Sequence, residues 1–360
     1  MNNHSEPSRV YQHPAENANI SSKDDLLQTN TSTVIGNSKA TIDPAERLKN
    51  SAMQLVGAMR EDAKNCGCTP SFMAYYDNKN KEFLVRNNQG IWIRQNDSQL
   101  SLHLKNARFG VDRTRNELLS AFEKEKLRII KECGVEYAGP LAGYREGFYG
   151  EKGWLITQSP NLFFPESGKW DTLNSVLAAI FEDNFRQLDY IHGWLKISLE
   201  ALYAGRYFPR QALVFAGERG CGKSLFQNII TALLGGRCAK PYASMSGEKF
   251  NGELFGAEHL MIEDEVPHVD MRARKAFGNK IKQFTSSEMQ RCNCKHREAV
   301  MLSPRWHLTI SLNDEPEDLG VLPPIDSGIA DKIMLFKAHK RPFPMSTETL
   351  EERERFKKCL

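Results

Sequence analysis

The chain has 360 residues, 40% of them hydrophobic and 26% charged, with a formal net charge of +3 and eight cysteines. That balance excludes a wholly disordered chain and a small disulfide scaffold. No run reaches the roughly 18 apolar residues of a membrane span, so no membrane partner is expected, and any contact with nucleic acid must come from a local cationic patch.

Residues 1–42 are rich in Asn, Ser, Thr and Asp, with Tyr11 as the only aromatic. Such a segment buries too little to offset its ordering entropy and is expected to be a disordered tail. It lacks the basic and apolar stretches of a secretion signal, so a cytoplasmic location is expected. Residues 43–135 are expected to form a smaller α+β module. Asp43 and Pro44 read as the cap and first turn of a helix through Leu48, Met53, Leu55, Val56 and Met59, stopping near Asn65. Three strands follow at 72–76, 82–86 and 91–94, separated by polar turns, and then helices at 98–107 and 113–132. The module shows no catalytic constellation and reads either as an adaptor or as a winged nucleic-acid-binding fold.

Residues 136–205 read as a mainly helical lead-in. A strand is predicted at 154–157, then helices at 173–181 and 185–203. The second helix carries Leu188, Ile191, Leu195, Leu199 and Leu202 at three- and four-residue steps, which is a packing face. Residues 206–345 are expected to hold the main α/β unit, and 346–360 a C-terminal helix.

The main unit opens with the most specific signal in the chain. Residues 217–224 match G-x-x-x-x-G-K-[ST] at every fixed position, between an apolar strand at 212–216 and a helical pattern at 223–234. Glycines let the backbone wrap a polyphosphate, and a helix N-terminus adds its dipole to the same anion site. The N–H groups from Gly217, Gly220, Cys221 and Gly222 through Lys223, Ser224 and Leu225 are the expected cradle for ATP. Lys223 is expected to reach the β- and γ-phosphates, and the Ser224 hydroxyl to hold Mg²⁺.

A second apolar strand, from His259, ends in Glu263, Asp264 and Glu265. Acids at the carboxyl edge of a parallel sheet stand beside the phosphates. Glu263 is assigned to the Mg²⁺ shell and Asp264 to the attacking water, with Glu265 as an alternative in either role. A third strand, 306–313, ends in Asn313, whose neutral amide suits a water-positioning or sensing role. Before it, residues 288–302 read as strand, polar turn and strand, with Lys295, His296 and Arg297 at the tip. Cys292, Cys294 and His296 do not have the spacing of a zinc site, which favours Cys-x₂₋₄-Cys and four ligands.

Loop, acids, hairpin and terminal Asn in this order resemble the superfamily 3 helicases of viruses, phages and mobile elements. The wider stretch 137–340 resembles the helicase half of phage-type primase-helicases, in phrases such as 136–143, 193–196, 250–251 and 257–260. The resemblance implies a P-loop NTPase core of AAA+-like, superfamily 3 type, built on a parallel sheet, and an ATP- and Mg²⁺-dependent helicase or translocase. It implies self-assembly into a ring, usually a hexamer, around single-stranded or forked DNA. It also makes Lys295, His296 and Arg297 the DNA-contacting residues, through phosphates and without sequence readout.

The sequence departs from the family where a neighbouring subunit's arginine finger is expected. The position-matched cation is Lys332, a point charge without a planar fork, with Arg341, Arg305, Arg272 and Arg274 as alternatives. No primase motif is visible, so a separate primase or replication protein is an expected partner. The departure at Lys332 leaves a second reading open: an ATP-gated oligomeric assembly or host-interaction module without unwinding activity.

Overall fold

The computed structural model describes residues 73–113, 115–163, 166–182, 186–263 and 270–359. The tail at 1–42 and the helix expected at 43–65 lie outside them. The first described elements are three short strands, β1 (Ala74–Asp77), β2 (Glu82–Arg86) and β3 (Trp92–Gln95), near the three expected positions and paired antiparallel. Helix α1 (Asp97–Asn106) follows, capped by Asn96 in a reciprocal box with Gln99. Helix α2 (Ala121–Glu132) starts eight residues later than its apolar pattern suggests. Ser120 takes a hydrogen bond from the Glu123 backbone and Glu123 takes one from the Ser120 backbone, and this box fixes the start. β4 (Gly134–Val135) then joins β1 in parallel, giving the order β3-β2-β1-β4.

A second small sheet is made by β5 (Tyr137–Gly139), β6 (Gly147–Tyr149) and β7 (Trp154–Ile156), with β7 central. Leu155 of β7 packs into the same core as Leu84, Leu100 and Ile129 of the preceding elements. Helices α3 (Asp171–Phe181) and α4 (Gln187–Tyr203) follow, as predicted.

The main sheet begins with β8 (Ala212–Gly217), which runs into α5 (Lys223–Leu233). β9 (Cys238–Ala239), the short α6 (Tyr242–Met245), β10 (His259–Glu263) and α7 (Met271–Ser286) come next. The hairpin β11 (Gln290–Cys292) and β12 (Val300–Leu302), β13 (His307–Leu312), β14 (Ile333–Ala338) and α8 (Leu350–Cys359) complete the chain. The five-stranded sheet is parallel throughout, in the order β14-β8-β13-β10-β9.

Both faces of this sheet are covered, which is why its strands read as continuous apolar runs. Along β8, Ala212, Val214 and Ala216 join one core with Leu260, Ile262, Leu308 and Ile310. Leu213 and Phe215 join the other, with Phe226 and Ile230 of α5 and Ile180 and Phe181 of α3. Phe181, Phe215 and Phe226 meet edge to face there, with centroids 4.7 to 5.9 Å apart. The strand order has one consequence for chemistry. β13 lies between β8 and β10, so the tip of β13 stands between the loop that follows β8 and the carboxylate that ends β10.

Candidate functional site

The loop after β8 turns sharply into α5. Gly222 adopts φ +99° at the helix N-cap, and a Cβ there would come within 2.7 Å of Phe343 and 3.0 Å of Ile180. Gly217 lies against the Ala338 carbonyl of β14, again with no room for a side chain. Only glycine meets both demands, conformational at 222 and steric at 217.

Lys223 is 7% exposed and curls back over the loop. Its Nζ donates to the carbonyls of Gly217 at 2.7 Å and Glu218 at 3.0 Å, and to Asn313 Oδ1 at 3.0 Å. These use all three ammonium protons. Asn313 Nδ2 in turn donates to Asp318 at 3.0 Å, which turns the amide oxygen toward the lysine. The structure therefore brings together two of the sequence-predicted residues, Lys223 and Asn313, and adds Asp318, which no motif marks.

Glu263 ends β10 in register with Ser311 of β13, at the same sheet edge. Its carboxylate pairs with Lys240 at 3.2 Å. Lys240 follows the two-residue β9, a strand too short to show any periodicity, so the sequence gives no sign of it. Asp264 and Glu265 lie outside the described residues. Ser224 is exposed in the first turn of α5, and Cys221 is buried with its sulfur 3.9 Å from Lys223 Nζ.

Behind this edge lies a polar circuit within the core. Thr231 Oγ1 donates to the Gln227 carbonyl at 3.0 Å and contacts His259 Nδ1 at 2.7 Å, while His259 Nε2 contacts Thr309 Oγ1 at 2.8 Å. Gln227 Nε2 donates to Thr309 Oγ1 at 2.9 Å and to the Ile262 carbonyl at 3.2 Å. One proton assignment satisfies the ring: His259 carries its proton on Nδ1 and accepts from Thr309 on Nε2. Burial pushes the His259 pKa down to about 3, so the imidazole is neutral. The circuit ties α5, one turn beyond Lys223, to the strands that end in Glu263 and Asn313. A second buried imidazole, His307, takes a hydrogen bond from Arg210, and burial with that cation pushes its pKa well below the ordinary value.

The hairpin forms as predicted, with β11 and β12 antiparallel and Lys295, His296 and Arg297 exposed at its tip. His296 sits at φ +61°, the left-handed turn residue. Arg297 leans toward Glu82 of β2, at 3.9 Å, and Glu82 also holds Arg94 at 3.0 Å.

Lys332 precedes β14 and pairs with Asp331 at 2.8 Å. Ile333 is in register with Ala212, the first residue of β8, so Lys332 stands at the opposite sheet edge from the chain's own loop. Of the alternative cations, Arg305 is buried, donates to the Gly143 and Gly205 carbonyls and stacks on Tyr144, so it is a structural residue and not a free finger. Arg274 is likewise spent on the Leu322 carbonyl. Arg272 is exposed, and Arg341 is exposed with one long bond to the Ala178 carbonyl at 3.5 Å. Among the described residues there is no group of three or more His, Cys, Asp or Glu side chains able to hold a metal, and no helix long and apolar enough to cross a membrane.

Compared with known proteins, residues 215–322 match the model of a family of unknown function, DUF5906. That stretch contains the loop, Glu263, the hairpin and Asn313. No curated protein matches the chain. Among solved structures, it resembles the A form apo structure of the NrS-1 C-terminal region, with a TM-score of 0.53 and 12% identity. It also resembles a second apo structure of the NrS-1 C-terminal region, with a TM-score of 0.53 and 13% identity. In both cases 85% of this chain is covered and 65% of the other, so the chain spans about two thirds of the length of the structures it matches. The likeness is one of fold.

Proposed function

We propose that this protein is an ATP-dependent DNA helicase or translocase serving replication of a phage or mobile element, with a P-loop NTPase core that hydrolyses ATP at the subunit edges of a ring. The observation that carries this is the bond from Lys223 Nζ to Asn313 Oδ1 at the sheet edge that also bears Glu263. A polyphosphate entering the loop would take over Lys223 protons now given to the Gly217 and Glu218 carbonyls, leaving Asn313 within reach of the γ-phosphate.

Ser224 and Glu263 offer the hard oxygen donors that suit Mg²⁺, one hydroxyl exposed at a helix N-terminus and one half-buried carboxylate. When bound, the ion would neutralise charge on the phosphates. Glu263 would have to exchange Lys240 for it, and Lys240 would then be free to meet phosphate. Asp264 is proposed to orient the attacking water, and Lys332 of an adjacent subunit to supply the cation in trans. Its place at the far sheet edge from its own loop supports action on a neighbour. Lys295 and His296 would follow DNA phosphates without reading bases.

The test is a Lys223→Ala protein assayed for ATP turnover and strand separation, with mass measured with and without ATP-Mg²⁺ and single-stranded DNA. Joint loss of both activities and a ligand-dependent ring are expected. ATP hydrolysis that proceeds with no binding of single-stranded DNA would exclude a helicase. That result would favour an ATP-gated assembly or host-interaction module, a reading supported by the lean of Arg297 toward Glu82.

A further inference from the structure

Cys292 and Cys294 belong to no part of the ATP site. Cys292 ends β11 and is 2% exposed; Cys294 is the second residue beyond it and half-buried. The two sulfurs lie 3.8 Å apart. Both are free thiols. With no third ligand among the described residues, the pair is not a zinc site.

The two thiols are unlike in access and in charge environment. Cys294 lines a cavity of about 420 Å³ that also bears Lys79, Arg297, Glu82 and Glu298. It lines a second, of about 300 Å³, between Arg94 and Arg297. A hydrogen bond from the Cys292 thiol, with help from the Arg297 and Arg94 charges, brings the Cys294 pKa down to about 6. The same bond and burial push Cys292 up. One sulfur is thus a cavity-lining thiolate, and the other a buried thiol in contact with it, the arrangement of an attacking and a resolving cysteine.

We infer that Cys292 and Cys294 form a reversible dithiol–disulfide site at the root of the hairpin, oxidised by exchange with a small disulfide. The Cys294 thiolate attacks one sulfur of that disulfide, forming a mixed disulfide and expelling one small thiolate. Cys292 then gives its proton to that thiolate and attacks Cys294 Sγ, expelling the second small thiolate, which is protonated from solvent. The protein loses two hydrogens and two electrons, and the small disulfide becomes two thiols.

Closing the bond must draw the two sulfurs together from 3.8 Å to about 2.05 Å, a contraction of the chain at 292–294. Excess small thiol reverses the bond by the same exchange steps run backwards. The tip begins at Lys295, and the Arg297 N–H is bonded to the Cys294 carbonyl at 3.3 Å, so the contraction is felt at the cationic tip. The site stands whether or not the hairpin grips DNA.

The test uses the full chain, reduced and then held in glutathione buffers of increasing oxidised fraction, with alkylation and peptide mapping of every cysteine. An internal 292–294 disulfide is expected, reversed by excess reduced glutathione. Cys292→Ser should instead stop at a glutathione adduct on Cys294, and Cys294→Ser should leave Cys292 reduced. Alkylation of both residues at every buffer ratio would overturn the proposal. So would glutathione adducts on Cys292 in the Cys294→Ser protein, since the buried thiol would then be the one that attacks.

Discussion

Lys223 and Asn313, ninety residues apart in sequence, share a hydrogen bond of 3.0 Å across the edge of the parallel sheet. One comes from the first turn of the helix after β8 and the other from the tip of β13. The strand order makes them neighbours, because β13 pairs directly with β8. Asp318 completes the arrangement by fixing the amide orientation.

Because the two side chains act as one unit, their losses should not add. Lys223→Ala and Asn313→Ala are each expected to lower ATP turnover by about 10²–10³-fold. The double variant should be little worse than Lys223→Ala alone. Nucleotide affinity should fall for Lys223→Ala and hold for Asn313→Ala, which fluorescent-nucleotide titration would separate. Asp318→Ala should resemble a weaker Asn313→Ala, since it frees the amide to turn.

At the hairpin, the three tip residues are not equivalent. Lys295 and His296 are exposed, while Arg297 leans toward Glu82. Removing Lys295 should weaken single-stranded DNA binding equally across sequences and flatten the salt dependence by about 0.7 in log–log slope. Arg297→Ala should change that slope less. A Glu82→Gln protein should bind more tightly, because it lowers the competition for Arg297. Binding isotherms at several salt concentrations would check all three.

The buried imidazoles set an acid limit on stability. In the unfolded chain each takes up a proton below about pH 6.5. In the folded chain His259 resists protonation until about pH 3, and His307 lies well below its ordinary value. The His259 contribution is complete above about pH 6.5 and is lost as pH falls from there toward 3, at about 1.4 kcal/mol per pH unit, and His307 adds a loss of the same sign. Urea midpoints at neutral and mildly acid pH should show the drop, and His259→Gln should make it shallower.

Phe226 offers a test of the fold beneath the site. It is fully buried on α5, against Phe181 and Phe215. Phe226→Ala should cost about 3–5 kcal/mol of stability by denaturant titration. Thr309→Val should cost about 1–3 kcal/mol, because it leaves His259 Nε2 and a Gln227 amide proton unpaired in the core.

Much of this architecture is legible in the sequence, for a specific reason. Apolar runs that end abruptly in Gly217, Glu263 and Asn313 mark strand tips, and a sheet covered on both faces leaves only its tips for chemistry. What escapes the sequence is contact made at a distance. Lys240 has no pattern around it, and Asp318 sits in an irregular turn. Arg305 looks like a free cation until its bonds to Gly143 and Gly205 are seen. Gln227 and Thr231 could have been flagged as polar residues on the apolar face of α5, but their partners on β10 and β13 are set only by the strand order. The late start of α2 is a different case: the Ser120–Glu123 box is local and readable, and outweighs the apolar spacing before it.

The most direct measurement of the central claim is the ATP hydrolysis rate as single-stranded DNA is titrated into the wild-type protein and into Lys223→Ala. The account predicts a wild-type rate that rises with DNA and saturates, and a Lys223→Ala rate near background at every DNA concentration. A wild-type rate indifferent to DNA, or a Lys223→Ala protein that hydrolyses ATP normally, would contradict it.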